Sequence, residues 1–172
     1  TLMYFFFGTS LNRYFKTNLQ DAALAIETGI LGNSNRVVFF RQQNNQSAYI
    51  GELCFDINSG ECIERKIEDD IDIGGKQLTP EDIGHYIKKM GEAAPANRYG
   101  LVLAGHGQGW VTCSILNGGA TTFSAGGYNP WIQAAGAETT RAFGEANVRV
   151  DIPQIAEGIE HSGVMLDYLL FD

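Results

Sequence analysis

Residues 99–110 read YGLVLAGHGQGW. Four apolar residues, 101–104, run into Gly105, and a histidine then stands between glycines until Trp110 closes the stretch. An unbroken apolar run ending in glycine is the pattern of a strand buried on both faces of a parallel sheet. That places His106 at the carboxyl end of the strand, where open α/β sheets gather their working groups. Histidine takes up and returns a proton near neutral pH. The flanking glycines let a second backbone come close, and the Gly107 N–H is available to face a developing negative charge. The plainer alternative is a tight glycine turn whose histidine packs for structural reasons, and this stretch alone leaves both open.

Working outward, the rest of the chain supplies partners for such a strand. LMYFFFG (2–8) is a second apolar run with the same signature. Leu11, Phe15, Leu19, Ala22, Ile26 and Ile30 then recur every three or four residues, predicting one face of an amphipathic helix stopped by Gly32. RVVFFRQ (36–42) predicts another buried strand, and AYIGELCFDI and ECIERKI, separated by NSG, predict a β-hairpin. EDDIDIGG (68–75) reads as a solvated acidic loop, since it lacks the alternating ligand register of a calcium loop. TPED (79–82) predicts a helix start, with Thr79 as cap, Pro80 in the first position and Asp82 turned back toward the cap. That helix buries Ile83, Ile87 and Met90 and ends near Gly91. Residues 116–137, rich in Gly, Ala, Thr and Asn, read as a long exposed loop. DIPQIAEGIEHSG (151–163) predicts a short helix and VMLDYLLFD (164–172) a last strand. The alternation implies an α/β fold with a mainly parallel sheet, as a single domain over residues 1–172.

Composition narrows the function. The 172 residues are 44% hydrophobic and 19% charged, with a formal net charge of −8. An acidic chain is a poor partner for nucleic acid or an anionic membrane, both of which want a basic face. No apolar run approaches the roughly 20 residues that span a bilayer. Cys54, Cys62 and Cys113 have no CxxC spacing, so no zinc site is expected. Cys54 and Cys62 are close enough along the hairpin for a disulfide to be considered, with buried free thiols as the default. His85 and His161 fall on helices without a partner motif, and packing accounts for them.

YGLVLAGHGQGW resembles the histidine motif of the clostripain family of cysteine peptidases, in which a hydrophobic strand runs into HGxGW. LDYLLFD (166–172), TRAFGE (140–145), the opening strand and helix, and the hairpin are also similar to that family's course. The likeness covers nearly the whole chain. One departure is clear: the family's acidic Asp-Asn after the first strand reads Gly8-Thr9-Ser10-Leu11-Asn12 here.

The resemblance implies the caspase-like three-layer αβα fold, incomplete on its C-terminal side. It implies a cysteine endopeptidase with a Cys–His dyad, cleaving peptides and proteins after arginine or lysine. His106 would be the catalytic histidine and the Gly107 N–H an oxyanion donor. Asp172 matches the aspartate that helps form the pocket for the basic residue, with a strand-end cap as its plainer reading. In the family, Ala-Cys follows at once and that cysteine is the nucleophile. Because the chain stops at Asp172, it is expected to be inactive alone and to need the remaining C-terminal part of its own domain. Cys113, in VTCSIL, reads as a core thiol and not as a replacement.

Family members resemble zymogens cut at a basic residue between histidine and cysteine. Between His106 and Asp172 there are two arginines, Arg141 and Arg149, and no lysine. Arg141 follows the exposed loop and is the expected processing site, with a structural turn at TRAFGE as the alternative. The resemblance implies secretion or a cell-envelope location and no cofactor or metal, and it leaves calcium dependence open. Two rivals remain at this point. A non-catalytic module of the same fold would lack the cysteine. An α/β-hydrolase esterase would need a GxSxG elbow, which is absent from these residues. A nucleotide-binding sheet fits poorly, because GHGQG carries no lysine and does not follow the first strand.

Overall fold

The computed structural model describes residues 1–31, 35–74, 77–107, 142–145 and 149–172. Strand β1 (Leu2–Phe7) is followed by helix α1 (Asn12–Glu27), strand β2 (Val37–Gln42), the hairpin β3 (Ser47–Asp56) and β4 (Glu61–Asp72), and helix α2 (Pro80–Ala93). Strand β5 (Tyr99–Gly105), the short strands β6 (Ala142–Phe143) and β7 (Val150–Asp151), helix α3 (Ile152–Ser162) and strand β8 (Leu166–Phe171) follow among the described residues.

Six strands form one sheet in the order β4–β3–β2–β1–β5–β8. β1 lies parallel to both β2 and β5, and β5 is parallel to β8. The β2–β3 and β3–β4 pairs are antiparallel. The central strands read as apolar runs because both their faces are covered. Phe6 and Phe39 face α1, packed with Phe15, Leu19 and Ala22. Met3, Phe5, Phe7 and Phe40 face α2 and α3, packed with Ile83, Ile87, Met90 and Ile155. The result is three layers, α1 against one face and α2 with α3 against the other. Aromatic contacts fix the register of these layers: the Phe5 and Phe40 rings stack at 4.5 Å and Phe6 meets Phe15 at 4.6 Å. Each such fully buried ring contributes on the order of 1.5–3 kcal/mol.

Thr79 caps α2 as predicted. Its side chain accepts from the Asp82 N–H, and the Asp82 carboxylate accepts from the Thr79 N–H. The helix runs on through Gly91 to Ala93. α2 and α3 then approach closely at two glycines. A Cβ on Gly84 would lie 2.8 Å from the Gly158 carbonyl oxygen, and one on Gly158 would lie 2.7 Å from Ile83 Cγ2.

Two sequence expectations are corrected. α1 ends at Glu27, well short of Gly32. Gly29 adopts a left-handed φ of +73°, which turns the chain out of the helix and leaves Ile30 exposed. The acidic segment 68–72 is strand, not loop. Ile71 pairs with Ala48 and Asp72 with Ser47, beyond a bulge where Asp70 takes φ +51°. Burial of Ile71 and Ile73 draws the segment onto the sheet. Its charges stay at the surface, with Lys66 on Asp69 at 2.6 Å and Lys89 on Glu68.

The hairpin register also answers the disulfide question. Cys54 sits opposite Ile63 and Cys62 opposite Phe55, so the two thiols point to opposite faces and both are free. Beside Cys54, Glu52 is 2% exposed and is held between Arg36 and Arg65. Among the described residues no helix is long and apolar enough to cross a membrane.

Candidate functional site

The chain passes from β1 through α1 to β2 on one side and returns from α2 to β5 on the other. β1 is therefore the strand at which the connections diverge, the place where open α/β sheets form a crevice at their carboxyl ends. The parallel register pairs Phe7 with Gly105, so the residues that follow in step are Gly8 and His106. His106 and Gly107 are exposed there, just beyond the buried 101–104 run.

Two hydrogen bonds to described residues hold His106. Its Nε2 lies 3.0 Å from Ser10 Oγ, on the turn between β1 and α1. Its carbonyl oxygen accepts from the Gly144 N–H at 2.8 Å. The latter bond belongs to an antiparallel bridge between Gly107 and Phe143, which lays the 142–145 segment alongside the histidine. In that bridge the bond flanks Gly107, so the Gly107 N–H is not the donor that makes it. Among the described residues, nothing lies within 4 Å of where a Cβ on Gly107 would stand.

Glu145 ends the same segment. Its Oε1 accepts from the Thr9 N–H and, at 2.5 Å, from the Ser10 N–H. Burial would raise its carboxyl, but the Ser10 hydroxyl and amide, the Thr9 amide and the nearby His106 outweigh that and hold it below the ordinary glutamate value.

Asp172 continues β8 past Phe171 and stays on the sheet. Its N–H donates to Leu103 O at 2.9 Å, and its carbonyl accepts from the Gly105 N–H at 3.1 Å. Its backbone thus lies against the residue that precedes His106. The strand alternation puts its side chain on the α1 face, where Asn18 Nδ2 donates to Oδ2 at 3.0 Å. Among the described residues no lysine or arginine is paired with this carboxylate. Tyr4, on the same face, has its phenol pushed up by burial first and by Asp172 second.

The structure therefore brings His106, Gly107 and Asp172 to one edge of the sheet. Ser10, Glu145 and Asn18 join them; Glu145 closes TRAFGE and Ser10 lies in the stretch after β1, but the sequence reading gave none of the three a role. Chemically, the described residues at this edge offer an exposed imidazole, a glycine amide that the Gly144–His106 bond does not use, and a carboxylate with no cationic partner among them. Arg141, Trp110, Cys113 and the 116–137 stretch lie outside the described residues. Cys54 and Cys62 are distant, since β2 and β1 stand between β3 and β5. Burial pushes both thiols up, away from the reactive thiolate form. His85 and His161 stand on α2 and α3, the latter 4.0 Å from Glu157.

The sequence matches no protein-family model and no curated protein. Solved structures do match. A secreted C11 cysteine protease from Bacteroides thetaiotaomicron superposes over 99% of this chain with a TM-score of 0.75 at 24% identity, and the chain spans 45% of that protein. A clostripain from the same organism, in complex with the peptide inhibitor BTN-VLTK-AOMK, covers 66% of this chain and matches over 95% of its own, with a TM-score of 0.56 and 23% identity. An inactive zymogen C11 protease from Parabacteroides distasonis covers 67% of this chain and 33% of its own, with a TM-score of 0.54 and 24% identity. The chain has the fold of the C11, or clostripain-family, cysteine proteases.

Proposed function

We propose that this chain is the histidine-bearing part of a single caspase-like peptidase domain, a C11-type cysteine endopeptidase that cleaves after arginine or lysine. In this reading a thiolate from a cysteine that follows Asp172 across one alanine attacks the scissile carbonyl. His106 holds the proton taken from that thiol and gives it to the departing amine. The Gly107 N–H, with the nucleophile's own N–H, receives the charge that grows on the carbonyl oxygen. Asp172 lies at the base of the pocket for the substrate's cation, where charge-assisted and bidentate hydrogen bonds favour a guanidinium. The partners are peptides or proteins with a basic residue before the cut. The secreted relative supports an extracytoplasmic location. The chemistry asks for no cofactor.

The observation that carries the reading is the meeting of strand ends. An exposed imidazole follows β5 directly, and Asp172, two positions before the expected nucleophile, is hydrogen-bonded to Gly105, the residue just ahead of that imidazole. The test is hydrolysis of arginyl and lysyl reporter peptides by the complete protein. His106→Ala should lower kcat by about 10²–10⁴-fold, the contribution of a positioned acid or base. Equal turnover by wild type and His106→Ala, or a complete sequence without the cysteine, overturns it.

A further inference from the structure

The geometry points to a second nucleophile at His106: Ser10, paired with this imidazole, forms an acyl-transfer site for carboxylic esters with good leaving groups. The inference shares His106 with the peptidase reading and is otherwise independent of it.

The local chain has the form such a serine needs. Gly8-Thr9-Ser10-Leu11-Asn12 departs from the G-x-S-x-G elbow only in its last residue. The context is also that of an elbow, a strand turning into a helix, since β1 ends at Phe7 and α1 begins at Asn12. Gly8 makes the turn with φ +102°, and a Cβ there would fall on Glu145 Cγ. Asn12, in the place of the last glycine, turns its side chain toward β2, where Oδ1 accepts from Arg41 Nε at 3.4 Å.

A nucleophile and its base must stand within about 2.6–3.2 Å of each other. Ser10 Oγ and His106 Nε2 are 3.0 Å apart, and both residues are exposed. One short segment holds the pair from both sides. Glu145 Oε1 accepts from the Ser10 N–H at 2.5 Å, and Gly144 beside it donates to the His106 carbonyl at 2.8 Å. Either partner can donate in the Ser10–His106 bond, and an imidazole open to water exchanges its proton between its two nitrogens. The form that accepts at Nε2 is the reactive one. The Leu11 N–H stands directly after the serine, ahead of the bonds that α1 makes within itself, where an elbow places its oxyanion donor.

In the reaction, Ser10 Oγ bonds to the acyl carbon while its proton passes to His106 Nε2, and the Leu11 N–H receives the oxyanion. The C–O bond to the alcohol then breaks, and Nε2 returns the proton to the departing oxygen. Water repeats the sequence on acyl-Ser10. Its oxygen bonds to the acyl carbon, its proton travels through Nε2 to Ser10 Oγ, and the carboxylic acid leaves. Among the described residues no carboxylate hydrogen-bonds the His106 ring. The base is therefore a modest one, suited to an oxygen leaving group and not to an amine.

The test uses the complete protein with its thiols blocked by methyl methanethiosulfonate, so that no cysteine contributes. A fluorophosphonate probe loses fluoride to a serine activated in this way, and peptide mass mapping locates the adduct. Ser10 should be labelled, whereas exposed Ser59, bonded to Asp56 at 3.2 Å, should not. His106→Ala should slow the labelling of Ser10 by about 10²-fold or more, the contribution of a positioned base. Hydrolysis of p-nitrophenyl butyrate should fall by a similar factor in Ser10→Ala, which carries the test if His106→Ala does not fold. A Ser10 that stays unlabelled, one labelled equally fast in His106→Ala, or equal ester turnover in Ser10→Ala overturns the inference. A labelled Ser10 in a protein that cleaves no arginyl or lysyl peptide before thiol blocking upholds it and fails the peptidase reading alone. Peptide cleavage with an unlabelled Ser10 does the reverse.

Discussion

Asn18 donates its side-chain amide to Asp172 Oδ2 at 3.0 Å, joining helix α1 to the end of β8 across the rim of the sheet. The bond orients a carboxylate that lacks a cationic partner among the described residues. For arginyl and lysyl reporters, Asn18→Ala should raise KM about threefold to tenfold with kcat unchanged, the mark of an interaction lost equally from ground and transition states. Asp172→Asn should abolish the preference for basic over neutral residues before the cut. Paired reporters measure both effects, and an Asn18→Ala protein with wild-type KM would show that the amide plays no part in substrate choice.

Glu52 makes the far edge of the sheet acid-sensitive. Burial alone would raise its carboxyl, but hydrogen bonds from Arg65 and Arg36 more than offset this and leave it below the ordinary value of 4.5. A carboxyl lowered on folding contributes stability that is complete above its unfolded pKa and is lost as pH falls through the folded one. The loss therefore belongs below about pH 4.5. Glu52→Gln should cost about 1–3 kcal/mol at neutral pH and flatten that part of the pH profile. Urea melts at several pH values test it, and parallel profiles for the two proteins would refute it.

Gly158→Ala should destabilise by about 1–3 kcal/mol, because the added methyl meets Ile83 and the Pro80 carbonyl, and backbone yields little. Gly163→Ala is the contrast. It has open space but a φ of +66°, so its cost comes from conformation alone, about 1 kcal/mol. Thermal melts of the two variants rank them.

Cleavage after Arg141 should appear in the intact mass of the active protein, and Arg141→Ala should remove that product. Of the two arginines between His106 and Asp172, Arg149 is the weaker site: its carbonyl accepts from Gln77 Nε2 at 2.8 Å and it adjoins β7. An active preparation intact at both arginines would end the idea.

Much of this architecture was legible in the residues. β1 and β5 announced themselves because burial on both faces leaves no room for polar alternation, and the Thr79 cap because its chemistry is local. The end of α1 was misread because a helix face can continue on paper past the glycine that breaks it, and Ile30 fitted the spacing without fitting the structure. The strand at 68–72 was hidden by its charges, which face water while two isoleucines do the packing. The placement of His106 followed from its strand. Its companions did not, since Ser10 and Glu145 reach it only through the β1–β5 register and the Gly107–Phe143 bridge, and such long-range contacts leave no short-range periodicity to read.

That bridge fastens residue 107 to residue 143 and so closes the intervening chain into a tethered ring. For a tethered ring, doubling the length adds only about 0.6 kcal/mol of closure entropy. Insertions and deletions inside it should accumulate across evolution while the imidazole keeps its place, provided the clasp at its neck is spared.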